Sequence, residues 1–397
     1  MVPIAEQAPL GGHRRVELTV RGNASIALSW RLLLHQPVRL VMSAAGIAFA
    51  LLLMSLQLNF RNALLDSSTE LIRQLDADML VMDDEKDPFL SRDNMPVVRM
   101  FQAQSVRGIQ AAHPIWMDLM FWRNLETGLE RPIRVIAVDP GDPVFVDDEL
   151  NVALARLAKP GTALVDRRSR SGYGSLSPGP AQVDRHPLEI IGTFSMGADF
   201  EVDGNMIVGY ETLLDLQGVN RADPEAILLH VEPGLDLERM AQEIAGVVPG
   251  DVRVLTKERL LERDLEYWRS ETPLSVILLV GVGLGFAVGV VICYQVLYTE
   301  VLDHLEEFAT LKAMGYGDEF LRRVVVAEAW FLSVLGFVPA SIVALLFQRM
   351  LGSMTGLAVH FSWFASGSVF ILSIGMCTAA GILALAKIRS LDPAELM

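Results

Sequence analysis

The chain has 397 residues, 51% of them hydrophobic, a mean hydropathy of +0.36 and a formal net charge of −15. That is too apolar for an ordinary soluble protein and too acidic for a nucleic-acid binder. The two cysteines, Cys293 and Cys377, both fall inside apolar runs, so the remainder of the chain must hold together without disulfides.

Residues 1–23 are polar, carry Pro9, Gly11 and Gly12, and are expected to be a disordered cytoplasmic N-terminus. The first apolar run starts too late, and without a cleavage pattern, for a signal peptide. Residues 24–39 mix Leu28, Leu32, Leu33 and Leu34 with Trp30 and Arg31 and predict an amphipathic interfacial helix, Trp30 at headgroup level. The alternative is a ragged start to the first span. A spanning helix needs roughly 20 mostly apolar residues. Four segments qualify: 40–60, 273–298, 324–350 and 363–387. None has a charge at its middle; Glu328 alone enters a run, near one end.

Between the first two spans the pattern changes. Met79–Met82, Ile115–Trp122, Pro132–Asp139, Ala163–Asp166, Pro187–Phe194, Met206–Gly209 and Ala226–Glu232 are short, β-rich and bounded by Gly, Pro and Asp. Val97–Ala111, Asp148–Leu157 and Leu235–Val247 read as helices, and Leu235–Val247 with its flanking strands forms a β–α–β sequence. The expectation is an α-helical membrane protein with four transmembrane helices and a large α+β domain, residues 61–272, between helices 1 and 2. Residues 66–272 hold 37 acidic and 21 basic side chains, so the acidity of the chain belongs to this domain. Arg14, Arg15, Arg21, Arg31 and Arg39 precede the first span, Lys312, Arg322 and Arg323 lie after the second, and Lys387 and Arg389 follow the fourth. The positive-inside bias therefore puts both termini, the loop 299–323 and the tail 388–397 in the cytoplasm, and the acidic domain and the short loop 351–362 outside.

Chemistry-bearing motifs are sparse. His113, His186 and His230 are scattered without metal-ligand spacing, and there is no His-Glu-x-x-His. The Gly/Ser-rich stretch 171–179 lacks the strand–helix context of a phosphate loop. Asp83–Glu85 and Asp147–Glu149 read as exposed turns, with cation binding as the alternative. In the second span Gly281, Gly285 and Gly289 repeat every four residues, a spacing that allows close helix packing. Packing within the chain and a homodimer contact both remain open for them.

Val301–Met314 has no Pro or Gly and is rich in helix formers. Gly315 suits a left-handed helix end, and Asp318 suits the N-cap of the next helix. Phe308, Leu311 and Met314 recur every three residues and project along one side. A hairpin packed on itself would account for that pattern. The residues themselves point further: Glu307-Phe308-Ala309-Thr310-Leu311-Lys312-Ala313-Met314-Gly315-Tyr316, with Glu328 opening the third span, resembles the cytoplasmic loop of DevC-type ABC transporter permeases of the MacB/FtsX-like permease superfamily. Ala44–Ala50 and the tail from Ala386 to Ala394 are similar to the same group. The resemblance implies an ATPase-coupling site at Glu307, Phe308, Thr310, Leu311, Lys312, Met314, Gly315 and Tyr316.

It implies further a permease subunit of an ABC-type exporter in the cell inner membrane, not itself an enzyme. Such a subunit works as a homodimer with a separate ABC ATPase, a membrane-fusion adaptor and an outer-membrane channel on lipid-like cargo. No Gly-x-x-x-x-Gly-Lys-Ser/Thr occurs in the chain, and no cofactor is called for. The alternative is an FtsX-like relay that controls an extracytoplasmic cell-wall hydrolase and transports nothing.

Overall fold

The computed structural model describes residues 37–91, 93–314, 318–355 and 362–389. The expected disordered N-terminus 1–23, the interfacial segment up to residue 36 and the last eight residues lie outside the described residues. The chain forms two compact units: residues 60–276 with 348–360, and the apolar remainder.

In chain order the elements are α1 (Pro37–Ser68), α2 (Glu70–Gln74), β1 (Met79–Asp83), α3 (Val98–Gln104), β2 (Ile109–Arg123), β3 (Glu130–Val138), α4 (Asp148–Leu154), β4 (Thr162–Asp166), β5 (Gly179–Val183), β6 (His186–Phe194), β7 (Asn205–Gly209), α5 (Tyr210–Gln217), β8 (Ala226–Val231), α6 (Leu237–Ala245), β9 (Val252–Thr256), α7 (Lys257–Glu266), α8 (Pro273–Asp303), α9 (Leu305–Ala313), α10 (Asp318–Thr355) and α11 (Trp363–Arg389). Among the described residues four helical stretches are long and apolar enough to cross a membrane: Pro37–Ser68, Pro273–Asp303, Arg322–Met350 and Trp363–Lys387. Each runs past at least one limit of the apolar run read from sequence or matches it, because a helix needs only backbone continuity to extend beyond the hydrocarbon.

The α+β unit is built on one long strand. The first half of β2 joins an antiparallel sheet ordered β2-β8-β1-β9, with α3 and α6 as its crossovers. Two β–α–β halves with β1 and β8 at the centre make a ferredoxin-like arrangement. Alternation along these strands serves two cores. Met79, Val81, Ile227 and Leu229 face Met240 and Ile244 of α6, while Leu80, Met82 and Leu228 face the opposite way, toward Ile72 and Leu260.

The second half of β2 pairs with β3, and the order β3-β7-β4-β6-β5 then returns to β2 through a single bridge, Trp122 to Val183. Six strands thus close on themselves. Period-2 alternation fills the inside: Ile133, Val135 and Ala137 of β3, Ala163 and Val165 of β4, Met206 and Val208 of β7, with Trp116, Trp122 and Tyr173. The Trp122 indole donates to the Tyr173 carbonyl at 3.0 Å and the Tyr173 hydroxyl to the Pro132 carbonyl at 2.5 Å, so the large rings carry no orphaned polar atom there.

Three local expectations change. The helix read at Val97–Ala111 stops at Gln104, because Gly108 adopts φ +101° and turns the chain into β2 at Ile109. β5 emerges from a Gly/Pro stretch and turns into β6 through Asp184 and Arg185, both at positive φ, a two-residue hairpin. α5 was not expected at all.

Candidate coupling site

Within the apolar unit, α8 ends at Asp303, His304 makes a one-residue turn, and α9 begins at Leu305. The turn is held by charge. Arg39, three residues into α1, pairs with Asp303 and reaches Glu300 at 3.8 Å. His304 is buried, with Nδ1 3.1 Å from Glu307 and Nε2 3.8 Å from Glu300. Glu300, His304 and Glu307 stand at i, i+4 and i+7, one face of a helix. That spacing was readable in the sequence. Arg39, 264 positions away from Asp303, was not.

The expected coupling residues divide between α9 and its C-terminal end. Glu307, Phe308, Thr310, Leu311 and Lys312 are on α9, and Met314 lies just beyond it. The Thr310 hydroxyl is spent on the Glu306 carbonyl at 2.9 Å, the usual helix back-bond. Glu307 engages His304, and Met314 is 64% exposed. Gly315 and Tyr316 lie outside the described residues. α10 then opens at Asp318, and Glu328 is fully buried with neither carboxylate oxygen hydrogen bonded.

The three glycines of the stripe lie against side chains of α1 and α11 in the same chain. A Cβ at Gly281 would stand 2.8 Å from Gln57, one at Gly285 2.8 Å from Met54, and one at Gly289 would collide with Met376 and crowd Ala50. Gly283, off the stripe, meets nothing within 4 Å. The three glycines let α8 lie against Ala50, Met54 and Gln57 of α1, which are themselves at i, i+4 and i+7. Ser333 with Ser373, and the Trp330 indole donating to Thr378 at 3.1 Å, join α10 to α11 in the same way.

Within the α+β unit, the two segments that lead toward the apolar runs are fastened to each other. Arg61 of α1 donates to Ser275 of α8 at 3.0 Å. Lys257, opening α7, donates to the carbonyls of Arg73 and Leu75 at 3.1 and 2.5 Å, which closes the end of α2. Burial pulls the Lys257 pKa down, against the pull of Asp76 and Asp78. Asp87 takes a bidentate bond from Arg263 at 2.9 and 2.6 Å and further bonds from Arg253, and the Arg263 hydrogen bond holds its carboxyl below the usual range.

The acidic turns are structural. Asp83 accepts from the Glu85 amide, and Asp147 caps α4 by accepting from Glu149 and Leu150. His113 and His230 are not scattered: their rings meet edge to face at 5.5 Å, and His113 pairs with Asp142 at 2.8 Å. No group of three metal-capable side chains converges among the described residues.

Residues 279–393, most of α8 and all of α9 to α11, match the family described as FtsX-like permease C-terminal. No curated protein matches the chain in sequence. Among solved structures, the periplasmic region of MacB from Actinobacillus actinomycetemcomitans is 10% identical, with 46% of this chain and 90% of that one covered and a TM-score of 0.34. The extracellular domain of the ABC-type transporter YknZ from Gram-positive bacteria is 14% identical, with 45% and 99% covered and a TM-score of 0.32. Scores of this size leave the fold of the α+β unit to rest on its own strands. Residues 279–393 are thus similar to the C-terminal part of FtsX-like permeases, and the four long apolar helices fit a multi-pass membrane protein.

Proposed function

We propose that this chain is the permease subunit of an ABC-type exporter, driven by a separate ATPase that docks on α9. The observation that carries the reading is the α8–α9 turn. It lies inside the permease-like segment, is pinned to α1 through Arg39, and presents Met314 to solvent beyond the apolar run. Leaving a large apolar side chain in water forgoes roughly 1.5–3 kcal/mol relative to burial, which argues for a partner surface. In this reading the ATPase moves α9, the Arg39 cluster passes the motion to α1 and α8, and those helices carry it toward the α+β domain.

The finer parts of the reading come from the resemblance in the loop: a homodimer in the inner membrane with cytoplasmic termini, working with a membrane-fusion adaptor and an outer-membrane channel on lipid-like cargo. The Lys257 and Arg61 fastenings, which couple the two leading segments mechanically, equally favour a second reading, an FtsX-like relay onto a cell-wall hydrolase.

Leu311→Asp tests the docking claim. A charge placed in an apolar contact without a partner is strongly destabilising. The expected result is normal membrane insertion with loss of ATPase co-purification and of export, while Arg322→Ala changes little. Parental binding and export by Leu311→Asp would remove α9 from the coupling role. Cargo release by the parental complex in reconstituted vesicles separates exporter from relay.

A further inference from the structure

α1 and α8 are joined at two levels and parted between them. Toward the middle of α1, glycines let the helices touch. A Cβ at Gly46 would stand 3.0 Å from Ile292, and those at Gly285 and Gly281 2.8 Å from Met54 and Gln57. At the start of α1, Arg39 pairs with Asp303 and reaches Glu300 at 3.8 Å. Between these levels lies a groove of about 530 Å³. Val38 and Met42 form one wall, Ile292 and Val296 the other, and each pair shares one face of its helix. Packed protein leaves few gaps larger than a water molecule, so an opening of this size between two pinned helices calls for an occupant.

The lining says what the occupant is. Val38 and Met42 are 74% and 71% exposed, so the groove opens sideways along an apolar span, where lipid chains would enter. Two lining groups are polar. Arg39 stands at the end of the groove nearest the charged turn. Ser43 lies one helical turn further in, about 5–6 Å along the axis. Ser43 is 6% exposed, and its hydroxyl makes no hydrogen bond among the described residues. Ser67 and Ser68 on the same helix give theirs to the carbonyls of Leu64 and Leu65. The Ser43 hydroxyl is thus a buried donor that opens on the groove.

The neighbours of Arg39 decide the charge of the head that fits. Glu300, Asp303 and Glu307 surround Arg39 and His304, an excess of acid. A head with net negative charge is repelled by the cluster as a whole. A head carrying both signs is not: its anion meets Arg39, and its cation meets Asp303, which is 45% exposed. A guanidinium has five N–H donors, so one partner does not exclude another.

We propose that this groove binds a diacyl phospholipid whose zwitterionic head ends in a primary ammonium. Its phosphate lies on Arg39 and its ammonium on Asp303. Its ester carbonyl, one step below the phosphate, accepts from Ser43, and the upper acyl chain runs between Met42 and Ile292. A primary ammonium is favoured over a quaternary one because it donates hydrogen bonds to the carboxylate. The site goes beyond the proposed function and rests on it only for the leaflet: with cytoplasmic termini, the lipid comes from the inner one. Bound there, the lipid packs against the ion pair that pins the α8–α9 turn to α1.

The test uses the delipidated full-length chain in detergent micelles, with no ATPase. Dioleoyl phosphatidylethanolamine, phosphatidylcholine and phosphatidylglycerol are titrated in, and bound lipid is counted by native mass spectrometry. The ethanolamine lipid should bind about tenfold tighter than the choline lipid, the worth of a charge-assisted hydrogen bond, and the glycerol lipid should bind most weakly. Ser43→Ala should weaken the ethanolamine lipid about fivefold, the worth of one neutral hydrogen bond. Met42→Trp, at an exposed wall position, should fill the groove and abolish binding, while Leu284→Trp, exposed on α8 outside the groove, should change nothing. Glycerophosphoethanolamine, the head without its chains, should not compete. Equal affinity for the three lipids, a preference for phosphatidylglycerol, or parental binding by Met42→Trp overturns the site. Micelles have no leaflets and no ATPase is present, so neither a reversed topology nor failure of α9 docking changes the result, and the two failures are separate.

Discussion

The two units bury opposite kinds of residue. Inside the α+β unit are Trp116, Trp122, Phe89, Phe145 and Tyr173. Inside the helical unit are Ala329, Ala340, Ala380, Ala384, Ser333 and Ser373, while Phe364 is 85% exposed and Val38, Ile371 and Trp363 also point outward. In water the gain comes from removing large apolar surface. Among lipid tails that gain vanishes, and what remains is close approach, which small residues permit. One chain therefore carries two grammars. Residue size has opposite meaning in each, and the same substitution should have opposite consequences.

Large-to-small changes break this contrast most sharply. Trp122→Ala should destabilise the α+β unit by about 3–5 kcal/mol, since it empties the closed barrel and orphans the Tyr173 carbonyl. Phe364→Ala, on the outward face of α11, should be near neutral. Chemical denaturation of the full-length protein in nanodiscs, read by proteolysis within each unit, distinguishes them; comparable losses would refute the contrast.

A buried carboxylate sharpens it through pH. Glu225 accepts from the Met117 amide at 2.5 Å, and burial raises its pKa to about 7 from an ordinary 4.5, against the pull of that bond and of Lys86. A raised folded pKa means the native state holds the extra proton, so this contribution is lost as pH rises from about 4.5 to about 7. At roughly 1.4 kcal/mol per unit the full loss is on the order of 3 kcal/mol. Glu225→Gln keeps an acceptor for Met117 and should flatten that slope, stabilising the domain at pH 8 and not at pH 5. A slope unchanged in the variant would put the titration elsewhere.

Small-to-large changes come next. Gly285→Leu must displace Met54 or part α8 from α1, and should lower thermal stability in detergent by an amount typical of overpacking, about 1–3 kcal/mol. Gly283→Leu, with open space at its Cβ, should be silent. Equal effects of the two would mean the stripe is not the packing face. The smallest expected effect is Asp147→Ala, which removes the N-cap of α4 and should cost about 1 kcal/mol in domain stability with no change in ATPase binding.

Legibility in the sequence depended on range. β4, β6, β7, β8 and β9 were readable to within a residue or two because β-branched runs end at Gly, Pro or Asp. β5 was not, since Gly179-Pro180 disfavours a strand and only its hairpin partner holds it there. The length of β2 was hidden because Gly108 interrupts what reads as one helical stretch. At the candidate site the helical character of Val301–Met314 was local and visible, but its break at His304 into the end of α8 and α9 was not. The ion pairs of Arg39 and the neighbours of the glycine stripe depend on distant chain, and no local pattern announces them.

β2 ties the two sheets into one body. Ile115, where the strand passes from the open sheet to the barrel, is paired directly with Ala226, where β8 begins. The chain leaves the ferredoxin-like frame and rejoins it on neighbouring residues, so residues 116–225 form an insertion in its connectivity. They are not an insertion in its packing: Met117, Val144, Phe145, Leu164 and Phe194 share one core with Leu80, Met82 and Leu228 of the frame, and Phe145 bridges to Leu75. A chimera cut at Ile115 and Ala226 would therefore have to carry that shared core with it, or expose the frame's face.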